Sequence, residues 1–134
     1  MAAYNLIKLA RLTGREELEE AAERQLSYIA GSLEGYEMNY TFFMVAAAFA
    51  LSKGEELVCV LKSKEEQREV RDYLKDKAPF NLAVVVKTKE NEELLTEAAP
   101  FTEDYQLIEG ESAYYLCTGS SCIPPVKKLE ELKL

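Results

Sequence analysis

Cys117 and Cys122 are the residues of this 134-residue chain best placed to do chemistry. They flank Thr118-Gly119-Ser120-Ser121, behind the apolar run Ala113-Tyr114-Tyr115-Leu116 and ahead of Ile123-Pro124-Pro125. A turn over this spacing brings two thiols within bonding distance, and closing so short a loop stabilises a fold by roughly 2 kcal/mol in the chain-entropy model. A redox-active pair is commonly C-x-x-C, and no Lys or Arg lies in this loop to lower a thiol pKa. The spacing also fits half of a zinc site completed by another chain. Within this chain only Cys59 and carboxylates remain as further ligands, and Cys59 falls in the middle of an apolar strand pattern. The simplest reading makes Cys117 and Cys122 small, buried residues that shape a turn, as free cysteines usually are, and makes Cys59 a core residue.

A further chemistry is a thiolate loop that cradles phosphate, with Thr118, Gly119, Ser120 and Ser121 as ligand-loop residues. The loop looks like that of low-molecular-weight phosphatases and thioredoxin-coupled arsenate reductases. Those enzymes need an arginine six residues after the cysteine to grip the oxyanion with its planar fork. Ile123 stands there, and Pro124 and Pro125 have no amide to donate.

Composition narrows the classes. The chain has no histidine, so no Ser-His-Asp or Cys-His arrangement exists and no imidazole binds metal. Nothing calls for a cofactor, and no reaction is legible. The net charge of −8 and a pI near 4.7 speak against nucleic acid, whose binding rests on Lys and Arg. The longest apolar run, Phe42 to Leu51, is far short of the roughly 20 residues that span a bilayer, so no membrane partner is expected. Three cysteines without a signal peptide point to the cytoplasm. The acidic clusters Glu16–Glu23, Glu90–Glu93 and Glu130-Glu131 read as solvated faces, and Tyr36, Tyr40, Tyr114 and Tyr115 as amphipathic packing.

The elements that position the loop begin with three helices. Ala3, Leu6, Ile7 and Ala10 share a helical face that Thr13-Gly14 ends. From about Arg15 to Leu33, Leu18, Ala21, Ala22, Leu26, Ile29, Ala30 and Leu33 form one stripe, which predicts a helical hairpin. The third helix, Tyr40 to Ser52, with Asn39 or Thr41 as N-cap and Gly54 as terminator, is apolar all round. Such a helix is normally buried all round. Its cover must come from the sheet, from a second chain or from a larger helical assembly.

At Glu55 the period changes. Leu57–Leu61 and Leu82–Val86 read as strands covered on both faces. Between them lies a helix from Lys64 to Lys77, with Ser63 and Glu66 as a capping box and Val70, Tyr73 and Leu74 inward. A short helix, Asn91 to Ala99, should turn Leu94, Leu95 and Ala98 inward. Gln106–Glu109 is a possible strand paired by hairpin to the last one, Ser112–Cys117, and Val126–Leu134 a terminal helix. The expected class is α/β: a helical hairpin plus buried helix, 1–54, packed on a small, mainly parallel sheet of three or four strands, 55–134. In such sheets a small ligand usually binds at the carboxyl ends of the strands.

Several stretches carry a family resemblance. They are Asn5 to Gly14, the Leu18-Glu19-Glu20-Ala21-Ala22 helix, Ala98-Ala99-Pro100-Phe101, Gly110 to Ala113, and above all Ala113 to Cys117 with Cys122-Ile123-Pro124-Pro125. In this order the chain resembles the C-terminal end of large thioredoxin-domain-containing proteins. Their central part is an (α/α) toroid like that of N-acylglucosamine 2-epimerases, and they carry a Cys-x4-Cys-x-Pro-Pro pattern. The resemblance covers nearly all of the chain. It implies that 1–54 are the last helices of a six-hairpin toroid-like region and that 55–134 are an appended α/β module. The partner would be the N-terminal helical and thioredoxin-like region, or a second copy of this chain. Those proteins are several times longer, and their reactive N-terminal cysteine has no counterpart here.

Overall fold

The computed structural model describes residues 1–33, 40–119 and 121–134. The expected positions Gly35, Tyr36, Asn39 and Ser120 lie outside them. The chain divides into two compact units, Met1–Lys53 and Gly54–Leu134.

The first unit contains α1 (Ala2–Thr13), α2 (Glu16–Ala30) and α3 (Thr41–Leu51). Gly14 ends α1 in the left-handed region, φ 67°, and its amide donates to the Ala10 carbonyl at 2.7 Å. Glu16, Glu17 and Glu19 then open α2, where negative charge suits the helix dipole. Ile7, Ala22 and Phe49 form the core of this unit, with Tyr4, Leu6, Leu26 and Ala50 packed around it. The Arg11 guanidinium donates to the carbonyls of Phe49 (2.9 Å) and Ser52 (3.0 Å) and lies 4.2 Å over the Phe49 ring. It thereby fixes the end of α3 to α1.

Burial of α3 on every side, expected from its composition, is corrected. Ala46 and Phe49 are buried, but Met44, Val45, Ala48 and Leu51 form an exposed stripe at helical spacing. Leu51 is 88% exposed and Met44 51%. Two short helices supply only enough surface to cover the opposite face.

The second unit is built on a four-stranded sheet in the order β2-β1-β3-β4: β1 Glu55–Leu61, β2 Leu82–Thr88, β3 Ala113–Thr118 and β4 Ser121–Cys122. The α/β class and the strand count are as expected. The mainly parallel arrangement is corrected, because β1 pairs parallel only with β2, while β1–β3 and β3–β4 are antiparallel. A helix, α4 (Gln67–Leu74), makes the crossover between β1 and β2. The link from β2 to β3 holds α5 (Glu92–Ala98), a 3₁₀ turn (Pro100–Asp104) and one more reversal at Glu109-Gly110. Both reversal residues have positive φ, 54° and 77°, and Ile108 and Glu111 exchange hydrogen bonds around them. That tight turn occupies the place of the expected Gln106–Glu109 strand and sends β3 back against β1.

Alternation along the strands separates two faces. On one, Leu57, Cys59 and Leu61 pack with Val70 of α4, Tyr114, Leu116, Leu129 and Leu132. Val70, Tyr73 and Leu74 point inward as their spacing predicts. The other face carries Glu56, Val58, Val60, Lys87, Tyr115 and Cys117.

Three local expectations are also corrected. Ser63 makes no side-chain cap bond, and Glu66 instead accepts the Ser112 hydroxyl at 2.5 Å. Leu94 is 71% exposed, and Ala98 faces water; Leu95 and the buried Ala99 turn inward. Asn91 sets this rotation: it accepts the Thr88 amide at 2.7 Å and donates to the Val86 carbonyl at 2.9 Å, so α5 begins only at Glu92. Finally, Val126–Leu134 is not a helix. Pro124-Pro125 hold the chain extended, Val126 exchanges backbone hydrogen bonds with Tyr114, and a 3₁₀ turn at Leu129–Glu131 follows.

Candidate functional site

The structure brings Cys117 and Cys122 together. They are partners across the β3–β4 hairpin, with a Cα separation of 3.9 Å, and their sulfurs are bonded. Leu116 accepts the Ile123 amide at 3.0 Å, which makes the next pair, 117 and 122, a non-hydrogen-bonded one. Such pairs bring side chains closest. Gly119, φ 61°, turns the hairpin, and its amide donates to the Gly54 carbonyl. A phosphate-cradling loop would need that amide free. Thr118 and Ser121 are paired with each other and exposed; Ser120 lies outside the described residues.

The two sulfurs have unlike surroundings. Cys117 is 4% exposed, whereas Cys122 is exposed. The Tyr105 hydroxyl sits 3.6 Å from the Cys117 sulfur. Its ring packs edge-to-face on Tyr115, centroids 4.8 Å apart, and on Phe101 at 6.2 Å. Tyr115 in turn donates to the Gln106 carbonyl at 2.7 Å. Burial, followed by the nearby carboxylates Glu56 and Asp104 and by Tyr115, pushes the Tyr105 phenol above its ordinary value. It therefore keeps its proton and stays a donor.

Lys87 holds this wall in place. Its side chain is 3% exposed, yet its ammonium donates to the carbonyls of Thr102 and Tyr105, both at 3.0 Å, and pairs with Glu92 at 3.1 Å. All three of its protons are engaged, so a buried charge is tolerated. Lys87 and Tyr105 are functional candidates that the sequence does not reveal. The one signal is a lysine ending an otherwise apolar strand, Leu82–Val86.

The remaining candidates lie elsewhere. Cys59 is fully buried on the opposite sheet face, and desolvation pushes its thiol up to about 12, so it is inert. Tyr114 lies on that face too, its phenol also raised to about 12 by burial first and then by neighbouring acids. Tyr40 is exposed at the start of α3. At the carboxyl end of β1, a cleft of about 510 Å³ is lined by Lys62, Glu66, Glu111, Ser112 and Lys127. Within it Lys62 pairs with Glu111 at 2.6 Å and Ser112 donates to Glu66, while Lys127 reaches Glu109; Glu69, Lys128 and Glu130 line it as well. Among the described residues no three Cys, Asp or Glu side chains converge on a cation site. Among them, too, no helix is long and apolar enough to cross a membrane.

No family model, curated protein or solved structure matches this chain.

Proposed function

We propose that the chain is a non-catalytic structural and interaction module, the C-terminal part of a larger thioredoxin-domain-containing, sugar-epimerase-like protein of the cytoplasm. The observation that carries this reading is the exposed stripe Met44-Val45-Ala48-Leu51 on α3. Apolar residues at i, i+1, i+4 and i+7 make the ridge that a neighbouring helix packs into. The resemblance of residues 1–54 to the last helices of a toroid supplies the occupant, the preceding helices of the same polypeptide. The absence of histidine, and the Lys62–Glu111 ion pair that engages two of the charges in the β1 cleft, favour a non-catalytic role. The test is the size of the natural gene product. An antibody raised against this chain should detect a polypeptide several times its 15.1 kDa. A product of that mass alone would overturn the reading.

A second reading has its own support: a thiol-redox role for Cys117 and Cys122. The observation is their placement as a bonded, non-hydrogen-bonded pair at the neck of a hairpin. Disulfides in a reducing compartment are usually transient or redox-sensing. In a glutathione buffer poised near cytosolic values, the pair should cycle between a dithiol and a disulfide lighter by two hydrogen atoms. Thiols that never pair would exclude it.

A further inference from the structure

Thiol–disulfide exchange has a direction whenever the two sulfurs of a bond differ in access and in stability as leaving groups. The Cys117–Cys122 pair differs in both. Cys122 stands on the short edge strand β4 and is exposed. Cys117 lies against the Tyr105 hydroxyl, with only 4% of its surface open. We propose that this disulfide is a one-way exchange site for a dithiol reductant: attack falls on the sulfur of Cys122, and Cys117 leaves as a thiolate received by the Tyr105 hydroxyl. The inference rests on the reversible-disulfide reading and adds which sulfur reacts and what assists it.

A thiolate of the reductant attacks Cys122 Sγ, the Cys117–Cys122 bond breaks, and its electron pair stays on Cys117 Sγ. A mixed disulfide between Cys122 and the reductant results. The second thiolate of the reductant then displaces Cys122 as a thiolate, and the reductant departs as its own disulfide. Two electrons have passed to this chain, and its two thiolates take up protons from solvent.

Burial alone would make Cys117 a poor leaving group, since a thiolate in apolar surroundings is destabilised. Glu56 is its cross-strand partner on β1, on the same sheet face, and opposes the anion further. Tyr105 is the compensating group. It faces Cys117 Sγ at 3.6 Å with a proton it retains, and a hydrogen bond to a thiolate is charge-assisted. Its position does not depend on the disulfide, because Lys87 holds its carbonyl and the rings of Tyr115 and Phe101 hold its side chain. The donor is in place before the bond breaks.

The experiment uses the whole oxidised chain. Glutathione is added, the reaction is quenched early with iodoacetamide, and peptides are mapped by mass. Glutathione is expected on Cys122 and the alkyl group on Cys117; glutathione on Cys117, or equally on both, overturns the proposal. For Tyr105→Phe, which keeps the ring, the rate of reduction by dithiothreitol should fall about 5-fold, as loss of one charge-assisted hydrogen bond predicts. The dithiothreitol concentration that half-reduces the pair should stay unchanged, because Cys117 ends as a protonated thiol, and thermal unfolding of the oxidised form should stay unchanged too. A structural role alone would move the unfolding and leave the exchange untouched, which overturns the assignment to Tyr105. If no disulfide forms in glutathione buffer, the underlying redox reading fails and takes this proposal with it. If one forms but exchange shows no preference, only the proposal fails.

Discussion

Helix α3 and strand β1 are written in nearly the same alphabet and meet opposite fates. Leu57-Val58-Cys59-Val60-Leu61 is buried throughout, whereas five apolar residues of α3, Phe42, Met44, Val45, Ala48 and Leu51, face water. The difference lies in what each has for neighbours. A central strand has β2 and β3 at its edges, α4 and the C-terminal turn on one face, and the Lys87-Tyr105 wall on the other. The three-helix unit has one hairpin to lay against α3, and a hairpin covers one side. An all-apolar composition therefore marks a need for cover, and topology decides whether the same chain meets it.

The largest effect should separate these two regions directly. Leu57→Ala, at a fully buried position, is expected to cost about 3 kcal/mol, while Leu51→Ala should stay within about 0.5 kcal/mol; urea unfolding measures both. Comparable losses would mean that α3 is covered after all. Reduction of Cys117–Cys122 comes next, with an expected loss of about 2 kcal/mol from a loop this short, read as a fall in unfolding midpoint under dithiothreitol. Lys87→Met probes the second sheet face. It strips the donors from the Thr102 and Tyr105 carbonyls and should cost about 1.5 kcal/mol by thermal unfolding.

The smallest effect is a pH dependence. Hydrogen bonding to Lys62, and then its charge, holds the Glu111 carboxyl below the usual carboxylate range; Lys127 does the same for Glu109. Folded values below the unfolded ones mean that their contribution is present above the unfolded pKa and is lost as pH falls through the folded one. Both groups are exposed, so the slope is shallow. Replacing Lys62 with Met should lower the plateau near neutrality slightly and leave the acid end in place, so that the acid limb of stability against pH flattens.

Much of this fold is legible in the sequence because local patterns carry it. The Leu18-Ala22-Leu26-Ile29 stripe of α2, the Gly14 stop, the two apolar strands and the inward Val70, Tyr73 and Leu74 all follow from period and capping, although α2 ends at Ala30, which is exposed, rather than at Leu33. Strand direction does not. β3 runs antiparallel because Glu109-Gly110 adds a reversal, and a Glu in the left-handed region leaves little trace in a sequence. The terminal segment reads as a helix by periodicity, yet Val126 finds a strand partner in Tyr114, a contact between residues on either side of two prolines. At the candidate site the cysteine pair is visible from spacing. Tyr105 and Lys87 are not, because their importance lies in contacts made across the sheet face. A tyrosine twelve positions before a cysteine has no reason to be paired with it until β3 is placed.

The stripe Met44-Val45-Ala48-Leu51 is the binding face on which the module reading depends. Light scattering with hydrophobic-dye binding on the isolated chain, wild type beside Met44→Gln/Leu51→Gln, tests it most directly. The expected result is dye binding and concentration-dependent association in the wild type, both lost in the double variant while the melting temperature is kept. A wild type that stays monomeric at high concentration and binds no more dye than the variant would contradict it.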